Sequence, residues 1–74
     1  METAKWTLEI ERQAIAYLRN LIESYDGMAV VRTIDPHRAV IELMIAPGCQ
    51  DLIMELLLHL QNEEKMKINF LLQA

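Results

Sequence analysis

The stretch Asp26-Gly27-Met28-Ala29-Val30-Val31-Arg32-Thr33-Ile34-Asp35-Pro36-His37-Arg38-Ala39-Val40-Ile41-Glu42-Leu43-Met44-Ile45 reads as a helix stop followed by a β-hairpin. Glycine enters the left-handed conformation without penalty, so Asp26-Gly27 is expected to cap the preceding helix. Met28–Ile34 and Arg38–Ile45 are rich in Val and Ile, the residue types that suit a pleated, half-buried surface. Between them, Asp35 opens a turn and Pro36 presets its second position. Alternation along the second run puts Ala39, Ile41, Leu43 and Ile45 on one face and Val40, Glu42 and Met44 on the other.

Upstream of the hairpin the period changes. Ile15, Leu18, Ile22 and Tyr25, with Ala14 and Leu21 beside them, recur at helical spacing from about Arg12 onward. Arg19 and Glu23 sit four apart on the other side as a solvated pair. Further upstream, Trp6-Thr7-Leu8-Glu9-Ile10-Glu11 alternates apolar and polar residues as a strand does. Trp6, Ile10, Ala14, Tyr17 and Leu21 also lie near helical spacing, so a longer first helix competes with the strand; the alternation favours the strand.

Downstream, Pro47-Gly48 breaks the hairpin and a helix spans about Gln50 to Glu63. Asp51, Glu55, His59 and Asn62 form its polar stripe, and Leu52, Ile53, Leu56, Leu57 and Leu60 its opposite face. Met54 and Leu58 lie beside the polar stripe as surplus apolar residues. Met66, Ile68, Phe70 and Leu72 then alternate with Lys67, Asn69 and Leu71 in a closing strand.

The order is β-α-β-β-α-β, so residues 1–74 are expected to form one ferredoxin-like α+β domain. Right-handed crossovers place both helices on one face of a four-stranded antiparallel sheet. The covered face carries Trp6, Leu8, Ile10, Ile41, Leu43, Ile68 and Phe70. The open face carries Lys5, Thr7, Glu9, Val40, Glu42, Met44, Asn69 and Leu71, which is more apolar than solvation requires.

Composition narrows the roles. A chain of 74 residues buries only about 60% of its unfolded surface, and domains this small compensate with disulfides, metals or association. The single Cys49 makes no internal disulfide, and no Cys/His cluster offers a metal site, so self-association is the remedy left. A hydrophobic fraction of 53% points the same way. A formal charge of −4 disfavours nucleic acid and anionic membranes. Met1-Glu2-Thr3-Ala4-Lys5 lacks a signal peptide's basic and apolar regions, and no apolar run approaches a membrane span. A cytoplasmic location follows as the expectation.

Ala16-Tyr17-Leu18 and the run from Ile22 through Gly27 to Pro36 resemble a family of short bacterial proteins of unknown function. That family is similar in architecture to ACT domains, the small-molecule-sensing branch of the ferredoxin-like fold. The resemblance implies this fold and a bacterial cytosol, and implies no activity. ACT domains typically take amino acids at a glycine-containing loop between the first strand and first helix. Here that junction is Ile10-Glu11-Arg12-Gln13, without glycine.

No constellation points to chemistry. Asp35, His37 and Arg38 crowd one turn and lack the ligand number a metal needs. Cys49 opens a helix, where the dipole favours a thiolate, with no base assigned to it by sequence. His59 reads as a solvated residue four after Glu55. The positions that stack bases in RNA-binding relatives of the fold hold Thr7, Glu9, Glu42 and Met44, with no aromatic. The sequence therefore predicts a non-enzymatic interaction or regulatory module, without cofactor, acting as a homo-oligomer, a dimer first. Its alternative is an amino-acid-type sensor with a pocket at the subunit interface; an unidentified protein or a small metabolite would be the partner. Candidate interface residues are Val40, Met44 and Leu71 on the sheet, which is favoured, and Met54 and Leu58 on the helix flank.

Overall fold

A computed structural model describes residues 3–73. It runs β1 (Ala4–Glu9), a 3-10 turn at Arg12–Ala14, α1 (Ile15–Glu23), β2 (Ala29–Asp35), β3 (Val40–Ile45), α2 (Gln50–Glu63) and β4 (Asn69–Gln73). All neighbouring strands are antiparallel, in the order β2-β3-β1-β4. This is the ferredoxin-like βαββαβ arrangement, with β3 and β1 central and β2 and β4 at the edges.

Alternation decides the layers. Trp6, Leu8 and Ile10 from the first strand and its exit join Ile41, Leu43 and Ile45 in the core, against Leu18 and Ile22 of α1 and Ile53, Leu56, Leu57 and Leu60 of α2. The register places Trp6 opposite Leu43 and Leu8 opposite Ile41, so the two central strands present matched apolar rows to the helices. The strand reading of the first segment holds. A helix over these residues would have pointed Trp6 and Leu8 to different sides.

Several boundaries differ from expectation for local reasons. The helix expected through Tyr25 ends at Glu23, and Tyr25 packs partly buried beyond it. Gly27, at φ 71°, is therefore not the helix cap; it sits in a turn closed by the Met28 N–H donating to the Tyr25 carbonyl at 3.1 Å. The strand expected from Arg38 begins at Val40, because Ala39 turns left-handed at φ 57°. Asp35 Oδ1 accepts from the His37 and Arg38 N–H groups at 3.0 and 3.2 Å, which holds that turn. Arg19 does not pair with Glu23. Its Nη2 donates to Thr33 Oγ1 at 2.8 Å, tying α1 to β2.

The last strand starts at Asn69 rather than Met66. Lys65 enters the left-handed region at φ 57°, and the Met66 N–H donates back to the Leu60 carbonyl at 3.1 Å. Gln61 Nε2 holds the Ile68 carbonyl at 3.0 Å, so Met66–Ile68 follow the end of α2 instead of the sheet. Leu52, expected on the buried face of α2, is exposed. The stripe Ile53-Leu56-Leu57-Leu60 meets the sheet, and Leu52 falls at its margin on the first turn. No helix among the described residues is long and apolar enough to cross a membrane. The reading of the chain's start as leaderless rests partly on Met1 and Glu2, which lie outside the described residues.

Candidate interaction surface

The helices cover one side of the sheet and leave the other bare. Cross-strand register orders that open face into rows. Val30 lies opposite Met44, which lies opposite Lys5. Arg32 lies opposite Glu42, then Thr7, then Leu72. Arg32 and Glu42 form an ion pair at 3.3 Å, so the centre of the face is a charge-compensated belt.

The apolar groups stand on the two edges of that belt. Val30 is 52% exposed and Ile34 46% on β2; Leu71 is 45% and Leu72 59% on β4. A bulge in β4 explains the paired leucines. Phe70 lies opposite Leu8 and Leu72 opposite Thr7, so Leu71 is the extra residue. The sequence alternation had named Leu71 alone; the bulge adds Leu72, and a single strand's alternation carries no sign of it.

The other candidates fare differently. Val40 is only 6% exposed and offers no surface. Its cross-strand neighbours are Glu9 and Asp35, and Arg38 lies 3.8 Å from Glu9, so long polar side chains shield it. Met44 is half-buried between Val30 and Lys5. On the helix flank Leu58 is exposed, whereas Met54 packs against the core. Val30 and Ile34 were missed because β2 was not split into faces; its alternation from Ala29 would have found them.

Charge separates the two sides of the molecule. The open face carries Lys5 and Arg32 in balance with Glu9 and Glu42, whereas α2 carries Asp51, Glu55 and Glu63 with no lysine or arginine. Much of the formal charge of −4 therefore lies on the helix side.

Two clefts adjoin the sheet. One, of about 600 Å³, lies where β1 leaves the sheet and is lined by Glu9, Glu11, Arg38, Gln61, Lys67 and Asn69. The other, of about 340 Å³, lies at the start of β2, where Met28, Val30 and Met44 supply its apolar wall and Lys5 its one charge. Cys49 is partly buried at the start of α2 and packs against the core. Among the described residues no three of His, Cys, Asp or Glu converge on a common point, and no polar residue is buried.

Across the helix layer, the Tyr17 hydroxyl donates to Glu64 Oε1 at 2.8 Å and approaches Oε2 at 3.1 Å. That hydrogen bond raises the Tyr17 phenol above its ordinary value of 10.0, because losing the proton would set two anions side by side. The partners are 47 residues apart, a distance no local pattern spans.

A family model described as "Domain of unknown function (DUF4911)" matches residues 8–63, more than half of the chain. The chain belongs to this family. The matched span runs from Leu8 in β1 through α2 and so includes the whole hairpin and both helices. Comparison with curated proteins and with solved structures gives no match.

Proposed function

We propose that this domain is a non-enzymatic interaction module that acts as a homodimer in the bacterial cytoplasm, meeting its partner copy through the sheet side. The observation that carries this reading is the bare sheet with Val30, Ile34, Leu71 and Leu72 exposed along both edges. Charge supports the same side. Two compensated sheet faces approach without net repulsion, whereas two α2 surfaces bring acid against acid. Both β2 and β4 also leave one edge without a strand neighbour among the described residues. The test is mass in solution by sedimentation at micromolar concentration, for the wild type and for Leu58→Lys. A dimer that survives Leu58→Lys supports the sheet side; a monomeric wild type removes the reading, and a dimer lost in Leu58→Lys alone moves the contact to the helices.

A second reading, an ACT-like amino-acid sensor, is favoured by the 600 Å³ cleft at the strand-to-helix junction. Glu9 and Glu11 stand beside Arg38 and Lys67 there, a lining with both signs that suits a zwitterion. A ligand that binds only the folded state must raise its melting temperature. Thermal denaturation with each of the common amino acids at millimolar concentration tests this, and no shift with any of them would remove it.

A further inference from the structure

Building on the proposed self-association, we infer that the closing strand β4 is exchangeable: two copies dimerise by each lending its β4 to the outer edge of the other's β1. That edge is covered by the chain's own β4, so exchange between copies needs no new contact. Trp6, Thr7, Leu8 and Glu9 meet Gln73, Leu72, Phe70 and Asn69 in one register, whichever copy supplies the strand.

β4 is the least anchored strand of the sheet. The buried core ends at Leu60; beyond it Met66, Ile68 and Phe70 are only partly buried, and the other residues of β4 are exposed. Among the described residues β1 is its sole strand neighbour, and a bulge at Thr7–Leu8 interrupts their pairing. So little buried apolar surface puts β4 at the low-stability end of the fold. Yet β1 is poorly suited to stay bare, because Leu8, fully buried, lies opposite Phe70. The same strand from a second copy restores that cover.

Lys65–Ile68 supplies the hinge. Lys65 holds φ 57°, which costs a residue with a Cβ about 1 kcal/mol, and an extended hinge is free of that strain. Two hydrogen bonds fold the segment back on α2: the Met66 N–H donates to the Leu60 carbonyl at 3.1 Å, and Gln61 Nε2 to the Ile68 carbonyl at 3.0 Å. Glu64 is held to α1 by the Tyr17 hydroxyl at 2.8 Å, so the hinge begins after it. Extended, its four residues reach roughly 14 Å, enough to cross to an adjacent copy. Short connections under strain invite exchange of this kind. Charge also suits a second copy, since Lys65 and Lys67 of the hinge offset Glu63 and Glu64 where two α2 ends meet.

A disulfide across β1 and β4 reads out which copy supplies the strand. Glu9 and Asn69 are cross-strand partners, within the span a disulfide bridges. The test variant carries Glu9→Cys, Asn69→Cys and Cys49→Ser. The control carries Thr7→Cys, Glu42→Cys and Cys49→Ser, which joins β1 to β3 and stays within one chain whether or not β4 exchanges. Circular dichroism checks both folds. Ordinary and nitrogen-15-labelled copies of each variant are refolded together, oxidised and mapped by mass spectrometry. The 9–69 link is expected to join light to heavy chains, and the 7–42 link to join chains of one isotope. Lys65→Gly, which relieves the closed hinge, is expected to lower the hybrid fraction roughly fivefold. A wild-type dimer whose 9–69 links are no more hybrid than the control's, or whose hybrid fraction does not fall with Lys65→Gly, overturns the exchange and leaves self-association standing. A monomeric wild type overturns both.

Discussion

Among the described residues Gly27, Ala39, Gly48 and Lys65 hold positive φ, and three of them, Gly27, Lys65 and Ala39, lead to different predictions. Gly27 sits at φ 71° in the turn before β2, with open space where a Cβ would go. Gly27→Val therefore meets no clash, only the backbone penalty of a β-branched residue, and is expected to cost about 1 kcal/mol or more in urea denaturation. A loss within about 0.5 kcal/mol, the usual range for surface changes, would contradict the turn assignment. Lys65 adopts φ 57° at the end of α2, where glycine is the favoured residue. Lys65→Gly is expected to stabilise the domain by about 0.5–1 kcal/mol, and a destabilised variant would show that the lysine side chain contributes more than the strain it bears. Ala39, also at φ 57°, keeps its methyl group in the core, so glycine there gains on strain and loses on packing. Gly27 was visible in the sequence as a chain break. Ala39 and Lys65 were not, because neither residue type advertises a positive φ.

Tyr17 supplies a further prediction at this scale. Its phenol is raised in the folded state by the hydrogen bond to Glu64. A group whose folded value lies above its unfolded one stabilises below the unfolded value and loses that contribution as pH rises through the folded one. The Tyr17–Glu64 clasp should accordingly act throughout the neutral range and fade only above about pH 10, as the phenol ionises. Glu64→Gln is expected to lower the pH at which Tyr17 titrates, followed by ultraviolet absorbance or NMR. An unchanged titration would mean that the clasp does not form in solution.

At the level of elements, hydrophobic period carried most of the fold. The alternation of β1 matched the side that is buried, and so did that of β3 except at Val40 and the three-and-four spacing of α2 except at Leu52. The period failed where geometry departs from the ideal. The β4 bulge added Leu72 to the open face, the short α1 left Tyr25 outside the helix, and the tether of Gln61 to Ile68 delayed β4 by three residues. Adjacent leucines of α2 show how sharply the stripe is drawn, since Leu57 is fully buried and Leu58 is exposed. Leu57→Ala is expected to cost about 2–5 kcal/mol, a large share of the stability of so small a domain, while Leu58→Ala stays within about 0.5 kcal/mol. Equal costs by chemical denaturation would contradict the orientation of α2.

The whole molecule carries an imbalance. The helices satisfy one side of the sheet; of the exposed large apolar residues, Val30, Ile34, Leu71 and Leu72 collect on the edges of the other, while Tyr17, Leu52 and Leu58 stand singly on the helices. The sequence made the excess legible through a 53% hydrophobic fraction in 74 residues without disulfide or metal cluster. It could not place that excess. Val40, prominent in the strand pattern, is buried, whereas Val30, Ile34 and Leu72 carry the exposure. Burial depends on the neighbours across a strand, and those neighbours are set by register rather than by period.

The central claim is that the sheet side of this domain holds two copies together. Sedimentation equilibrium of the wild type beside Ile34→Lys, at micromolar concentration and physiological salt, tests it most directly. The account predicts a wild-type mass of twice 8.6 kDa and a shift toward 8.6 kDa for the folded variant. A wild type that sediments as a monomer across that range would contradict it.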